Sequence, residues 1–271
     1  MLADQLVIGH ADGEVVCVDL ATGDTIWTGS ERHEEPLQVV TSSPDGRWAA
    51  TSASDHVIRV WDVAAGAMIA RFDHTHTAYD VRFSPDGERL ATACTDETVG
   101  VYRLGNDQRI TIGKGHDSWV TAVDWSPRGD RLVSVSLDAT VRLWNATTGL
   151  DLIRRELVAR SEAVAWSPRD HIAVGLEDGS VSLIDASGPL IEVARPRTNA
   201  GQIHCLRWAA GGRLLAAGCM EAVVVWDDYG TRELARFELD AYAYRIAWSP
   251  DATILGASLC GDRVRLWDVP V

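Results

Sequence analysis

The chain has 271 residues, of which 39 are acidic and 25 are Lys or Arg, so its formal net charge is −14 at pH 7. A nucleic-acid surface needs clustered cations to displace counterions from phosphate, and so acidic a chain is a poor candidate for one. The chain has no apolar run of about 18 residues, so no transmembrane helix is predicted. The excess acid either keeps a β-rich surface soluble or forms a face for a basic partner.

The cysteines and the first residues indicate a compartment. Five cysteines are an odd number and form no C-x-x-C pair, which favours small core side chains in a reducing environment. The first residues lack the basic start and apolar stretch of a signal peptide. We therefore expect a cytoplasmic protein. The cysteines are Cys17, Cys94, Cys205, Cys219 and Cys260.

Taken in chain order, the sequence consists of short apolar runs separated by Gly, Pro and Asp turn signals, which predicts strands joined by tight turns. No segment of about 12 residues has a convincing helical apolar stripe. The first unit lacks its inner strand, and the last unit ends after its third strand. Residues 29–37 are polar and are interpreted as a surface connection. The predicted units cover about 6–28, 38–72, 78–112, 116–156, 162–194, 202–237 and 242–269.

The fourth unit shows the whole pattern. It opens with Gly115-His116, carries a Ser126–Gly129 turn between two apolar runs, and ends with Trp144-Asn145. The residue at the Trp144 position recurs at spacings of 41, 42, 40, 42 and 41. A period of roughly 40 to 45 residues is typical of four-stranded propeller blades. The recurring residues are Trp61, Tyr102, Trp144, Ile184, Trp226 and Trp267.

With these Gly-His and Trp-Asp signals, the chain resembles the WD40 repeat family from about Leu6 to Val269. The resemblance implies an all-β, seven-bladed WD40-like β-propeller that forms a single domain over 1–271. In the family, the first and last strands usually share one blade, so the two incomplete units predict an irregular closure seam. Because unpaired strand edges are adhesive, we expect residues 1–5 or a second chain to finish the seam of 1–28 and 242–271, or the seam to stay open.

The resemblance also implies a structural tetrad in the fourth unit. In WD40 blades, a His, a Ser or Thr, an Asp and a Trp form a hydrogen-bonded chain. Buried Asp and His side chains are tolerated in a core when each polar atom has a partner. The matching residues are His116, Ser134, Asp138 and Trp144, with Ser136 as the alternative serine.

No residue cluster in the sequence predicts a metal site, a cofactor or catalysis. The run from Asp73 to His76 contains metal-binding residue types, but His74 aligns with His116, which favours a structural role. There is no G-x-S-x-G turn, phosphate-binding glycine loop or H-E-x-x-H motif. His204 and Cys205 are adjacent, and adjacent side chains of a strand point to opposite faces. We therefore predict a protein without enzymatic activity, metal or cofactor.

The family resemblance places the partner-binding surface at the loops before the inner strands and at the turns after the second strands. Exposed Trp, Tyr and Arg side chains carry much of the energy of protein interfaces. An aromatic residue in a strand can equally be packed between blades. The predicted partner-binding residues are Trp119, Tyr79, Tyr242, Tyr244, Arg160, Glu162, His204 and Leu137.

The predicted function is a non-catalytic scaffold that presents a rigid propeller face to a protein or peptide partner. One alternative is a sensor or regulatory propeller of a larger assembly whose ATPase or effector is on another chain. A second alternative is a propeller enzyme of unknown chemistry, because the same fold hosts catalysis in other families.

Overall fold

The computed structural model describes residues 5–105, 108–227, 230–260 and 263–270. These residues form 26 strands and no helix, and thus none that could span a membrane. The strands are β1 (Gln5–Gly9), β2 (Val15–Asp19), β3 (Thr25–Thr28), β4 (Leu37–Ser42), β5 (Trp48–Ala53), β6 (Val57–Asp62), β7 (Ala67–Asp73), β8 (Ala78–Phe83), β9 (Arg89–Cys94), β10 (Thr98–Arg103), β11 (Gln108–Lys114), β12 (Val120–Trp125), β13 (Arg131–Ser136), β14 (Thr140–Asn145), β15 (Asp151–Glu156), β16 (Ser161–Trp166), β17 (His171–Leu176), β18 (Val181–Asp185), β19 (Ile191–Ala194), β20 (Ile203–Trp208), β21 (Leu214–Cys219), β22 (Ala222–Asp227), β23 (Glu233–Glu238), β24 (Ala243–Trp248), β25 (Ile254–Leu259) and β26 (Arg263–Asp268).

The strands form seven small antiparallel sheets, numbered here in chain order. Sheets one (β1–β3) and seven (β24–β26) have three strands each. Sheets two (β4–β7), three (β8–β11), four (β12–β15), five (β16–β19) and six (β20–β23) have four. Consecutive strands pair because tight turns join them. The fold is a seven-bladed β-propeller, as the sequence predicted, and its first and last blades are each one strand short.

The strands fall into two compact units. The first comprises Met1–Leu132 and Trp144–Asp151, and the second comprises Val133–Leu143 and Leu152–Val271. Sheets one to three belong to the first unit and sheets five to seven to the second, while sheet four contributes to both. Closure of the predicted seam and the second chain there stay predictions.

Each unit has its own apolar core between neighbouring sheets. In the first unit, a cluster that includes Ile58 and Leu90 joins sheets two and three. In the second unit, a cluster that includes Ala173 and Leu206 joins sheets five and six. These side chains are at most 1% exposed, because a sheet with apolar residues on both faces must bury each face against a neighbour. Four of the five cysteines are also buried, and all described cysteines are free thiols.

Tryptophans at the ends of inner strands connect neighbouring sheets by hydrogen bonds. Trp125 of β12 donates its indole N–H to the carbonyl of Arg82 on β8 at 3.1 Å. In the second unit, Trp208 and Trp248 donate in the same way, each at 3.2 Å, to carbonyls of the preceding inner strand. An indole that is largely buried needs such an acceptor. These rings therefore fix the spacing of the inner strands within each unit.

Two tryptophans six residues apart provide a test of this packing. Trp125→Ala should lower the free energy of unfolding by about 3 to 5 kcal/mol, because it removes a ring that is 4% exposed. Trp119→Ala is the matched control, since that ring is 52% exposed, and should change stability by about 0.5 kcal/mol or less. Urea denaturation followed by circular dichroism measures both. Equal losses in the two variants would contradict the assignment of Trp125 as the packing residue.

Candidate functional site

Sheet two contains a hydrogen-bonded tetrad that ties its second and third strands to the segment before β4. The His33 ring nitrogen Nε2 lies 2.9 Å from Thr51 Oγ1, and the Trp61 indole N–H donates to the same oxygen at 3.0 Å. On the other side of the ring, Nδ1 lies 2.9 Å from Asp55 Oδ2. All four side chains are almost entirely buried. The tetrad therefore holds the residues before β4 against β5 and β6.

Arg59 is a fifth member of this cluster. Its Nη1 lies 2.7 Å from His33 Nδ1 and 3.1 Å from Asp55 Oδ2, and its Nε lies 3.7 Å from the Glu31 carboxylate. Burial, followed by the charge of Arg59, lowers the pKa of His33, so its ring is neutral at pH 7. Burial favours the neutral form of Asp55, but hydrogen bonds from the Val57 N–H and Arg59 outweigh it and lower the pKa of this carboxyl. The buried guanidinium is thus paired with a buried carboxylate.

His33 was not among the residues that the sequence predicted for a tetrad. Residues 29–37 were predicted to be a surface connection, and most of them are exposed, but His33 is 2% exposed. That interpretation was wrong at His33. No local sign in the sequence indicates its burial, because its neighbours are polar and no Gly precedes it as one precedes His116. The period held a usable signal: His33 precedes His74 by 41 residues, and His74 precedes His116 by 42.

The tetrad predicted in sheet four is distributed over both compact units. In the first unit, His116 and Trp144 are buried, with ring centroids 5.9 Å apart at 55°. In the second unit, Ser134 is fully buried, and Asp138 Oδ1 accepts hydrogen bonds from the N–H and hydroxyl of Thr140. The hydrogen-bonded chain through all four residues stays a prediction.

Sheet three has a modified version of the same cluster. His74 Nδ1 lies 3.5 Å from both the Cys94 thiol and the Tyr102 hydroxyl. Burial is the main cause that lowers the pKa of His74 to about 4 and raises the pKa values of Cys94 and Tyr102 to about 12 each. All three groups are therefore uncharged at pH 7. Within the described ranges, no group of three His, Cys, Asp or Glu side chains is placed to hold a metal ion.

Five of the inner strands have a β-bulge near their beginning. In sheets two, three, five, six and seven, the pairing register skips one residue of the inner strand. A bulge leaves its extra residue outside the ladder and redirects the side chain. The skipped residues are Gln38, Tyr79, Glu162, His204 and Tyr244. Four of these five were predicted to bind a partner.

In the second unit, the structure brings four predicted residues into one row, named here the Tyr242 row: Glu162, His204, Tyr242 and Tyr244. His204 Nδ1 lies 3.2 Å from a Glu162 carboxylate oxygen. The His204 and Tyr242 rings are 5.5 Å apart, and the Tyr242 and Tyr244 hydroxyls are 2.5 Å apart. The hydrogen bond with His204 lowers the pKa of Glu162, although burial opposes it. Tyr244 is 48% exposed, so the row reaches the surface.

The other four predicted partner-binding residues are not part of this row. In the first unit, Trp119 is 52% exposed and Tyr79 is half-buried. In the second unit, Arg160 is exposed and Leu137 is half-buried. A role for these four residues in partner binding stays a prediction.

A family model described as "WD domain, G-beta repeat" matches residues 27–62, 66–103 and 107–145. Three stretches of the chain therefore match the WD40 repeat model. The first matched stretch begins within β3 and the other two begin one residue before β7 and β11, and each stretch ends on the third strand of the next sheet. Each matched stretch therefore links two neighbouring sheets.

Several WD-repeat relatives are similar to the chain. It is 24% identical over 278 residues to the serine-threonine kinase receptor-associated protein of Gallus gallus, which covers 98% of this chain and 76% of that protein. It is 28% identical over 181 residues to protein groucho of Drosophila melanogaster, covering 65% of this chain. That match spans 24% of groucho, so about three quarters of groucho lies outside it.

Among solved structures, the computationally designed Ika8 protein has a similar fold. Its crystal structure matches with a TM-score of 0.81 at 21% sequence identity, over 98% of this chain and 81% of that chain. At this identity the likeness concerns the fold alone.

His33→Ala should destabilise the folded chain strongly. The change leaves Thr51 and Asp55 with fewer hydrogen bonds and opens a cavity, so we expect a loss of about 2 to 4 kcal/mol in the free energy of unfolding. His10→Ala is the control, because His10 is exposed in a turn, and should cost about 0.5 kcal/mol or less. Urea denaturation of both variants measures the difference. A small loss for His33→Ala would show that the tetrad contributes little to stability.

Acid should weaken the folded state through His74. The ring has a pKa of about 4 in the folded protein against 6.5 for an ordinary His. Between these values the unfolded chain binds a proton that the folded chain does not, so stability is lost as the pH falls from 6.5 towards 4. His74→Gln should show a shallower loss over this range in urea denaturation. A His74 NMR signal that titrates above pH 6 would contradict this expectation.

Proposed function

We propose that this WD-repeat protein is a non-catalytic scaffold that holds a protein or peptide partner on the Tyr242 row. The observation that carries the proposal is the continuity of the row, in which side chains from sheets five, six and seven contact one another in sequence. Tyr side chains supply large contact areas with few rotatable bonds and carry a polar tip. A surface of this kind binds through shape and hydrogen bonds without reorganising.

The bulges support a binding role for the row. Glu162, His204 and Tyr244 are each the extra residue of an inner strand. Their side chains therefore add contacts at the surface without displacing a residue of the ladder. The packed sheets beneath them provide the rigid support that a binding site requires.

The chemistry of the row favours binding over catalysis. His204 and Glu162 form the base-and-carboxylate pair found in many hydrolytic sites. The side chain next to His204 that would have to serve as the nucleophile, however, is Tyr242. Hydrogen bonds, first with Tyr244 and then with Cys260, raise the pKa of Tyr242. Its hydroxyl is therefore protonated at pH 7 and is a poor nucleophile.

The charges of the row indicate the chemistry of the partner. The lowered pKa of Glu162 keeps its carboxylate ionised, and its side chain is 30% exposed. The whole chain carries a net charge of −14. A partner segment with hydrogen-bond donors and a basic side chain matches these groups. We also propose a cytoplasmic location, since free cysteines persist in reducing compartments.

The relatives are consistent with a scaffold. WD40 propellers present rigid faces to protein partners, and the receptor-associated protein of Gallus gallus is named for association with another protein. The match covers 98% of this chain. We propose the same general activity here, with a partner that the Tyr242 row selects.

Affinity capture tests the proposed surface. The full chain, immobilised and incubated with lysate of its source cells, should retain a stoichiometric protein partner identified by mass spectrometry. Tyr242→Ala combined with Tyr244→Ala should reduce recovery of that partner about 10-fold or more, because anchoring aromatics carry most interface energy. The melting temperature should change by no more than about 2 °C.

Leu152→Ala is the matched control for this experiment. Leu152 is 43% exposed on β15 and lies outside the row, so this variant should retain the partner at the wild-type level. If the double variant also retains it fully, the row is not the binding surface. If the wild-type chain captures no partner, the scaffold function itself is wrong.

A further inference from the structure

A cavity of about 630 Å³ opens in sheet three, outside the Tyr242 row. It lies where the last residues of β7 approach β9, β10 and β11 of the next sheet. Its walls combine charged, hydroxyl, thiol and aromatic groups. The residues around it are Arg71, Phe72, Asp73, His74, Thr75, Thr92, Cys94, Asp96, Thr98, Gly100, Tyr102, Arg109 and Ile112.

Comparison with sheet two explains why the cavity exists. The two sheets correspond residue by residue at a spacing of 41, and three members of the cluster keep their chemistry. The other two members are smaller in sheet three: Gly100 stands in place of Arg59, and Tyr102 in place of Trp61. The conserved-chemistry pairs are His33 with His74, Thr51 with Thr92, and Asp55 with Asp96. The cavity therefore occupies the position that the Arg59 guanidinium fills in sheet two.

Polar groups around the cavity have lost the partners that their counterparts have. In sheet two, Asp55 Oδ2 accepts from Arg59 at 3.1 Å and lies 2.9 Å from His33 Nδ1. In sheet three, Asp96 Oδ1 accepts from the N–H and hydroxyl of Thr98, but Asp96 Oδ2 has a long contact in place of these partners, 3.4 Å from the Thr75 hydroxyl. His74 Nε2 is buried without a hydrogen-bond partner in the described structure. A buried polar atom in this condition costs stability unless a ligand satisfies it.

Aromatic rings give the cavity a second feature suited to a guanidinium. Phe72 is the residue of sheet three that corresponds to Glu31 next to sheet two, at the same spacing of 41. Its ring centroid lies 4.9 Å from that of Tyr102. Guanidinium groups stack on aromatic faces. Of the two arginines that line the cavity, Arg71 is held by Asp73 at 2.9 Å, and Arg109 is hydrogen-bonded to the Tyr102 hydroxyl.

We propose that this cavity binds the side chain of an arginine supplied by a partner protein or peptide. The guanidinium pairs with Asp96, donates to His74 Nε2 and stacks against Phe72 or Tyr102. The partner's arginine thus replaces the internal arginine that sheet two has at position 59 and that Gly100 removes from sheet three. The proposal is independent of the Tyr242 row, because the two sites share no residue.

Calorimetric titration of the full chain tests the chemistry of the cavity. N-acetylarginine amide should bind with a dissociation constant on the order of 1 mM, as expected for a ligand of this size. N-acetylcitrulline amide has nearly the same shape but no charge, and should bind about 10-fold more weakly or not at all. Equal binding of the two compounds would overturn the proposal.

Variants locate the binding and give matched controls. Asp96→Asn should weaken binding of N-acetylarginine amide about 10-fold or more, whereas Glu97→Gln, an exposed neighbour outside the cavity wall, should not. Gly100→Arg should abolish binding because the chain then fills its own cavity. An added Cβ at Gly100 would lie 2.7 Å from Thr92 Oγ1 and 2.9 Å from the Tyr102 ring, so both side chains must move aside. Undiminished binding by either Asp96→Asn or Gly100→Arg would contradict the assignment.

Arg109→Met keeps the test decisive if the other variants do not fold. Sheet two has Met68 at the corresponding position, and the change removes a cation from the cavity wall, so N-acetylarginine amide should bind several-fold more tightly. Circular dichroism confirms that each variant is folded. Binding that appears with Arg109→Met and is absent from the wild type would show that Arg109 occupies the cavity itself, and would overturn the proposal of a partner's arginine.

Discussion

The structure depends on a constraint of burial: an imidazole or carboxylate inside an apolar sheet must have hydrogen-bond partners. Sheet two meets this constraint with a closed set of contacts, in which His33 connects Thr51 on one side with Asp55 on the other. The Trp61 indole completes the set and, by its size, fills the remaining space. One cluster thereby holds the segment before β4 against two strands of the sheet. The chain connection by itself would not fix this segment in place.

Sheet three shows how the same cluster changes when two members become smaller. The replacement of Arg59 by Gly100 and of Trp61 by Tyr102 retains the backbone ladder, because neither side chain contributes to strand pairing. It does remove volume and hydrogen-bond donors next to Asp96 and His74. A structural cluster is converted into a cavity with unsatisfied polar groups, and this is the physical reason for assigning it a ligand.

The bulges allow surface residues to vary without changing the pairing of the strands. In the five bulged inner strands the skipped residue is outside the ladder, so its side chain is free to differ from one sheet to the next. It is an amide in sheet two, a phenol in sheets three and seven, a carboxylate in sheet five and an imidazole in sheet six. The packed tryptophans at the other end of the same strands, such as Trp208 and Trp248, hold the strands in place. Chemical variety in the surface residues is thus compatible with one uniform scaffold.

The sequence alone determined the fold class and the number and order of the sheets, because short apolar runs at a fixed period can bury both faces only against copies of themselves. Through its resemblance to the WD40 family, it also selected Glu162, His204, Tyr242 and Tyr244 among eight candidate residues. Only the tertiary structure decided that these four residues touch, that His33 is buried among polar neighbours, and that the Gly100 position leaves a cavity. Those facts depend on side chains that approach across sheets and turns, where distance along the chain carries no information about distance in space.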